Sequence, residues 1–397
     1  MTRMRPRRTC IAAAMAGCAA LSSAIIALAA PRVAVSAATA RSPSRPSASH
    51  ALAGPASAGS AAGLSSAYSQ QIPLLAYFYI WFTPTSWNRL KIDYPLVGRY
   101  SSDDLAVMRE QVKLAKQIGI AGFLVSWKDT PILNRRLAAL SSVAAADNFK
   151  LGIVIEGRDF AGDPISMTEI RRSFRYVVSH YGSDPVYNIV GKPLVVWSGT
   201  WVYTTQQLAS ISTAFGAKLT ILASEKEPAS YQLIAHLFGG DAYYWSSADP
   251  LHTPGYAAKL DQFSAVVHKA GGLWVAPAAP GFDARLLGGI RDVPRRGGRT
   301  LRLAMNAAMA SSPDAIGVIS WNEYSENSQI EPSQTYGPTA IQVIASIEHA
   351  KAPVVQNFNS SNPSGFHPGP SQFLILGTFV LFLVGSVVLV MKRKERQ

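Results

Sequence analysis

Residues 101–127 read SSDDLAVMREQVKLAKQIGIAGFLVSW, and the change of period halfway along this stretch decides the fold. Up to Ile118 the apolar residues Leu105, Met108, Val112, Ala115 and Ile118 recur at three- and four-residue steps. That spacing puts side chains on one stripe of an α-helix. Ser101, Ser102, Asp103 and Asp104 precede it. Their short polar side chains can accept from the free N–H groups of a first helical turn. Gly119 stops the helix, and Gly122–Trp127 follows as a nearly continuous apolar run. A strand with one wet face would alternate, so an unbroken run predicts a parallel strand buried on both faces.

The same unit recurs along the chain. Strand-like runs lie at Ile72–Trp81, Gly122–Trp127, Leu151–Glu156, Pro193–Trp197, Leu219–Ser224, Ala242–Ser246, Leu273–Ala278 and Ala315–Trp321. Helical patterns separate them at 101–118 and near 130–147, 166–181, 204–215, 229–237, 255–270 and 299–311. Strand and helix alternating eightfold over about 280 residues predicts an α/β protein with one (β/α)8 TIM-barrel domain. An open doubly wound sheet is the competing arrangement, but no Gly-rich nucleotide loop follows any run.

The flanks read differently. A basic start, an Ala-rich apolar run from Cys10 to Ala30 and small residues through Ala40 predict a signal peptide over 1–40. Residues 41–69, rich in Ala, Ser and Pro, and residues 352–371 read as linkers around the barrel domain 70–351. No charge occurs from Phe373 to Met391, and Lys-Arg-Lys-Glu-Arg-Gln follows. That predicts a transmembrane helix over 372–391 with a basic cytoplasmic tail at 392–397. The expectation is a single-pass protein of the cell membrane with its barrel extracellular.

The formal net charge of +13 belongs mostly to these flanks. Seven arginines and no acid fall in residues 1–45, and the tail carries four bases and one acid, so the barrel is nearly neutral. Nucleic acid is therefore not expected as a partner. Both cysteines, Cys10 and Cys18, lie in the leader, which removes disulfides, thiolate metal ligands and cysteine nucleophiles from the domain. The seven histidines show no metal-ligand spacing, no cofactor motif is present, and a monomer is expected.

Barrel enzymes work where their strands end. Each end here carries aromatics or carboxylates: Tyr79 and Trp81, Trp127, Glu156, Trp197, Glu225, Tyr244 and Trp245, Asp283, then Asn322, Glu323 and Glu326. Flat rings can stack on the C–H faces of sugars, and carboxylates can hold hydroxyls or move protons, so carbohydrate is the expected substrate. Glycoside cleavage needs a carboxyl pair beside the scissile bond. Glu323 and Glu326 are three residues apart, close enough to repel and to leave one of them protonated. They are the expected catalytic residues; the other residues just named are expected to bind substrate. A barrel that binds glycan without turnover stays open as an alternative, and so does an anionic partner for the Arg-rich stretch Arg291–Arg302.

Ser320-Trp321-Asn322-Glu323-Tyr324-Ser325-Glu326-Asn327-Ser328-Gln329-Ile330-Glu331-Pro332 resembles the signature of glycoside hydrolase family 99, the endo-α-1,2-mannosidases. Ala76–Trp81, Gly98–Asp103, Gly119–Trp127, Pro277–Asp283 and Arg295–Arg302 resemble further elements of that family in the same order. The resemblance implies that Glu323 is the base acting on the sugar 2-hydroxyl and Glu326 the acid, with retention at the anomeric carbon. It also implies that Glu156 binds a substrate hydroxyl and that Trp127 and Tyr244 line sugar subsites. Tyr324-Ser325 and Asn327-Ser328 stand where the family has Trp-His and Gly-Thr. That departure bears on the sugar bound, with α-glucan as the competing substrate, and it is what motivates the silent-binder alternative.

Overall fold

The structure, a computed structural model, describes residues 72–159 and 161–350. The expected signal peptide, the body of both linkers, the transmembrane helix at 372–391 and the basic tail lie outside the described residues. Among the described residues no helix is long and apolar enough to cross a membrane.

Eight parallel strands form one sheet: β1 (Leu74–Tyr79), β2 (Ile120–Trp127), β3 (Lys150–Glu156), β4 (Leu194–Ser198), β5 (Thr220–Leu222), β6 (Gly240–Ala242), β7 (Leu273–Ala278) and β10 (Ala315–Val318). Their spatial order is β5-β4-β3-β2-β1-β10-β7-β6. The two ends meet through a parallel bridge between Ala223 and Asp241, in which the Ala223 N–H donates to Gly240 O at 2.9 Å and the Ala242 N–H to Ala223 O at 2.8 Å. Closure leaves no open edge, which makes the sheet a barrel. Between β7 and β10 a two-stranded hairpin, β8 (Phe282–Asp283) and β9 (Asp292–Val293), is inserted. Its strands are two residues long, too short for a periodicity signal in the sequence.

Helices α1 (Leu105–Gln117), α2 (Pro131–Ala146), α3 (Met167–Tyr181), α4 (Thr205–Phe215), α5 (Pro228–Ile234), α6 (Tyr256–Lys269), α7 (Arg299–Ala310) and α8 (Thr339–Ile347) accompany the strands. The local chemistry explains their starts. Asp104 caps α1 by accepting from the Ala106 and Val107 N–H groups, so the helix begins at Leu105 and not at Ser101. Thr130 caps α2 just before Pro131, whose missing N–H costs nothing in a first turn. Thr204 and Gln207 form a reciprocal capping box on α4. Gly119, with φ of +94°, turns the chain out of α1 in a conformation that side chains disfavour. The apolar nine-residue α8 was not expected from the sequence.

The inside of the barrel is packed by alternate residues of its strands: Leu75, Tyr77 and Tyr79 from β1, Leu124 from β2, Val154 from β3, Val196 from β4 and Val275 from β7 belong to one buried cluster. Room for the large members comes from glycine. A β-carbon on Gly317 would lie 3.0 Å from the Tyr77 ring, and one on Gly152 would lie 2.8 Å from Leu124. The intervening residues face the helices, as Phe78 does in stacking on Phe123 at 4.4 Å.

One strand is displaced from expectation. The run at Ala242–Ser246 predicts β6, but the strand is Gly240–Ala242. Asp241 reads as a turn residue in sequence. In the fold it is fully buried, and its carboxyl accepts the Glu225 N–H at 2.9 Å across the closing seam.

Candidate active site

The chain leaves β10 through a loop closed at its neck. Ser320 N–H donates to Ser328 O (2.8 Å), Ile330 N–H to Ser320 O (2.8 Å) and Glu331 N–H to Trp321 O (2.9 Å). Residues 321–329 are thereby held over the barrel mouth. The Ser320 hydroxyl accepts the Glu323 N–H at 2.8 Å, and the Asp283 N–H donates to Glu326 O at 2.7 Å. Arg295 secures the far side. It is buried, lies over the Tyr336 ring at 4.2 Å, and donates to Gln329 O (2.7 Å) and Asn327 O (2.8 Å). Burial holds its proton affinity down to about 10, still charged near neutrality. The loop that carries the two glutamates is thus fixed by its backbone groups, the Ser320 hydroxyl and the Arg295 guanidinium.

The two carboxyls sit in different surroundings. Both are raised above the ordinary value, first by burial. Glu323 is offset by the Ser325 N–H, which its Oε1 accepts at 2.8 Å, and by the Lys91 ammonium. Glu326 has no such relief. Its Oε2 is buried with no hydrogen-bond partner among the described residues. Burial, then the charges of Glu323 and Glu156, push Glu326 up to about 8. The proton of the pair is therefore favoured on Glu326 and the negative charge on Glu323.

Two tyrosines complete the group. The hydroxyls of Tyr79 and Tyr244 lie 2.9 Å apart. Burial raises both well above the phenol value, and the charges of Glu323 and Glu326 add to it, so both stay neutral beside the carboxyl pair. Trp81 packs on Tyr79 with ring centroids 4.5 Å apart. Glu156, at the end of β3, accepts the Ser126 hydroxyl at 2.6 Å. Six of the expected residues therefore come together: Tyr79, Trp81, Glu156, Tyr244, Glu323 and Glu326.

The others lie elsewhere or are already engaged. Trp127 is fully buried against the helices, 5.4 Å from the Tyr176 ring of α3, with its Nε1 donating to Asn134 of α2 at 3.0 Å. Trp197 is likewise fully buried between Phe174 and Tyr203. Both occupy odd steps of their strands relative to the inward residues Leu124 and Val196, so they pack in the core outside the barrel interior. Trp245 stacks on Tyr256 of α6 at 4.8 Å. Glu225 is buried, with its carboxyl turned toward Thr200. Asp283 is tied by its carboxylate to Arg285 at 2.5 Å and reaches the loop through its backbone N–H. Asn322 is buried and engaged: Oδ1 accepts the Tyr79 N–H (2.8 Å), and Nδ2 donates to Tyr79 O (3.0 Å) and to the Tyr100 hydroxyl (3.1 Å). It positions Tyr79 through both backbone groups.

Sequence reasoning missed the supports. Glu331 is buried under the loop and accepts Gln111 (2.6 Å), Tyr324 (3.0 Å) and Tyr100 (3.1 Å); burial still lifts it to about 7. Lys91 and Asp93 come from the long β1–α1 connection, where no periodicity marks them. Tyr324 packs against Trp87 at 5.5 Å, away from the carboxyl pair. Its departure from the family pattern is therefore a change in the core, while Ser325 lies against Glu323. Two arginines of the Arg-rich stretch are structural: Arg295 clamps the loop, and Arg296 pairs with Asp249 at 2.7 Å.

Residues 91–344 match the sequence profile of glycosyl hydrolase family 99. No curated protein sequence matches the chain. The GH99 endo-alpha-mannosidase from Bacteroides thetaiotaomicron has a similar structure, with a TM-score of 0.62 at 19% identity, covering 70% of this chain and 97% of that one. A protein described as glycoside hydrolase-like is similar with a TM-score of 0.56 at 13% identity, covering 71% of this chain and 94% of that one. At these identities the structural likeness speaks for the barrel fold.

Proposed function

The chain belongs to glycosyl hydrolase family 99 and is a glycoside hydrolase, and from that premise we propose that it cleaves α-linked mannose-containing glycans with retention, using Glu323 as base and Glu326 as acid. The observation that carries this reading is the unequal environment of the two carboxyls. Glu323 accepts an N–H and faces an ammonium, which suits an anion; Glu326 has an orphaned oxygen and a pKa near 8, which suits a proton donor at neutral pH. The likeness to the Bacteroides endo-alpha-mannosidase supports mannose as the sugar.

In the first step Glu323 takes the proton from the sugar 2-hydroxyl. The freed oxygen attacks the anomeric carbon and closes a 1,2-anhydro ring. The bond to the leaving oxygen breaks, and Glu326 gives that oxygen its proton. In the second step water attacks the anomeric carbon. Glu326, now a carboxylate, takes the water's proton, and Glu323 returns its proton to the 2-oxygen. Two inversions at one carbon give net retention. The neutral hydroxyls of Tyr79 and Tyr244 can donate to sugar oxygens beside the pair, Trp81 offers a ring to stack on, and Glu156 can accept from a substrate hydroxyl. The apolar stretch 372–391 would tether this activity to the outer face of the cell membrane, with the signal over 1–40 directing export.

The test is to incubate the protein with α-mannans and follow the first product by NMR before it mutarotates. The α-anomer is expected. Release of the β-anomer, or no cleavage across α-mannans, would overturn the reading; cleavage of α-glucan instead would move the substrate and keep the mechanism.

A further inference from the structure

Away from the carboxyl pair, three consecutive strand ends carry two cations and one exposed ring. Arg158 follows β3, Trp201 follows β4 and Lys226 follows β5. Lys226 holds its Nζ 4.3 Å from the Trp201 ring centroid. Trp201 is 36% exposed, whereas Trp87, Trp127, Trp197, Trp274 and Trp321 are fully buried. Arg158 runs along Gly199, where a β-carbon would lie 3.4 Å from its Cγ, and its Nε donates to Gly162 O. That bond fixes the arm of the guanidinium. Among the described residues neither Arg158 nor Lys226 has a carboxylate at salt-bridge distance; the neighbouring Glu225, buried and turned toward Thr200, offsets part of the Lys226 charge. The two cations are close enough that Arg158, after burial, is the next cause holding down the proton affinity of Lys226.

Lys226 lies over the exposed ring, and Arg158 is near enough to repel it in the empty protein. The arrangement becomes favourable when an anion lies between the charges, and the ring then offers a flat face to whatever carries the anion. All three residues are at the strand-end face of the barrel, and Glu156, two positions before Arg158, is among the charges acting on Glu326. We propose that Arg158, Trp201 and Lys226 form a subsite for an acidic sugar, with a pyranose stacked on Trp201 and its phosphate or carboxylate held by the two cations. The proposal rests on the glycosidase reading for its place in the cleft and names a substrate class that reading leaves open.

The test is a calorimetric titration of the full-length protein at low salt with mannose, mannose 6-phosphate and glucuronate. Monosaccharides are not turned over, so binding is read alone. At least one acidic sugar is expected to bind about tenfold or more tighter than mannose, and which one does so distinguishes phosphate from carboxylate. Lys226→Ala should abolish the preference, Lys226→Arg should keep it, and Trp201→Ala should weaken all binding at this site. Equal binding of the three sugars, or a preference unchanged in Lys226→Ala, would overturn the proposal. Cleavage of neutral α-mannan is scored separately: acidic-sugar binding without any cleavage would sink the hydrolase mechanism and leave the subsite standing.

Discussion

Replacing Glu326 with Gln should stabilise the folded chain, and by much more at pH 8 than at pH 5. The Glu326 carboxyl titrates near 8 in the fold against an ordinary value of 4.5, because of burial and then the charges of Glu323 and Glu156. A carboxyl raised in this way binds its proton more tightly when folded than when unfolded. Between pH 4.5 and 8 the unfolded chain has released a proton that the folded chain keeps, so stability is full below the lower value and falls as pH rises to the upper one. Linkage between these two values gives a loss of about 1 kcal/mol at pH 5 and about 4 kcal/mol at pH 8. Gln has the shape of the neutral acid and cannot ionise, so Glu326→Gln escapes the loss. The assay is the urea midpoint of the native chain and the variant at both pH values, with the slope checked to be unchanged. A variant advantage that is the same at pH 5 and pH 8 would refute the claim that Glu326 is held neutral by its surroundings.

Asn322→Ala strips both partners from the buried Tyr79 backbone and should lower stability by about 2–4 kcal/mol, read as a shift in urea midpoint; an unchanged midpoint would show that Asn322 is not the clamp described. Trp197→Phe should reduce stability while leaving KM unchanged, because the ring packs on α3 and α4-side residues; a raised KM would place it in the sugar site after all. The pH profile of kcat/KM should fall as pH rises through about 8, where Glu326 loses its proton, and Glu156→Gln should move that fall to lower pH, since it removes one of the charges opposing ionisation.

The barrel is legible because parallel strands buried on both faces leave unbroken apolar runs, and because the Ser101–Asp104 cluster announces the start of α1, which Asp104 caps. The closing seam is not, since Asp241 hides a strand behind a residue that ordinarily turns the chain. The site was legible where the sequence is contiguous: Glu323 and Glu326 stand three residues apart on one loop, and their inequality follows from partners that only the fold supplies. The aromatic residues were read less well. A tryptophan at a strand end faces the barrel interior or the helices according to the parity of its position, and a run without alternation carries no parity signal. Tyr79 thus falls inside, while Trp127 and Trp197 fall outside. Glu331 and Arg295 lie in stretches that the sequence marks, but their roles as supports, like that of Lys91, rest on contacts such as Glu331 with Gln111 and Arg295 with Gln329, made far along the chain.

The division of labour between the two glutamates is tested most directly with an aryl α-mannoside whose leaving group is acidic enough to depart unprotonated, alongside an α-mannan. Initial release of the aryl alcohol is measured for the native chain, Glu323→Gln and Glu326→Gln. Loss of a general acid or base is expected to cost about 10²–10⁴ in rate. Glu326→Gln should show that loss on the mannan and keep most of its rate on the aryl mannoside, whereas Glu323→Gln should show it on both. Equal losses on both substrates in Glu326→Gln, or a Glu323→Gln enzyme that still releases the aryl alcohol at the native rate, would contradict the assignment.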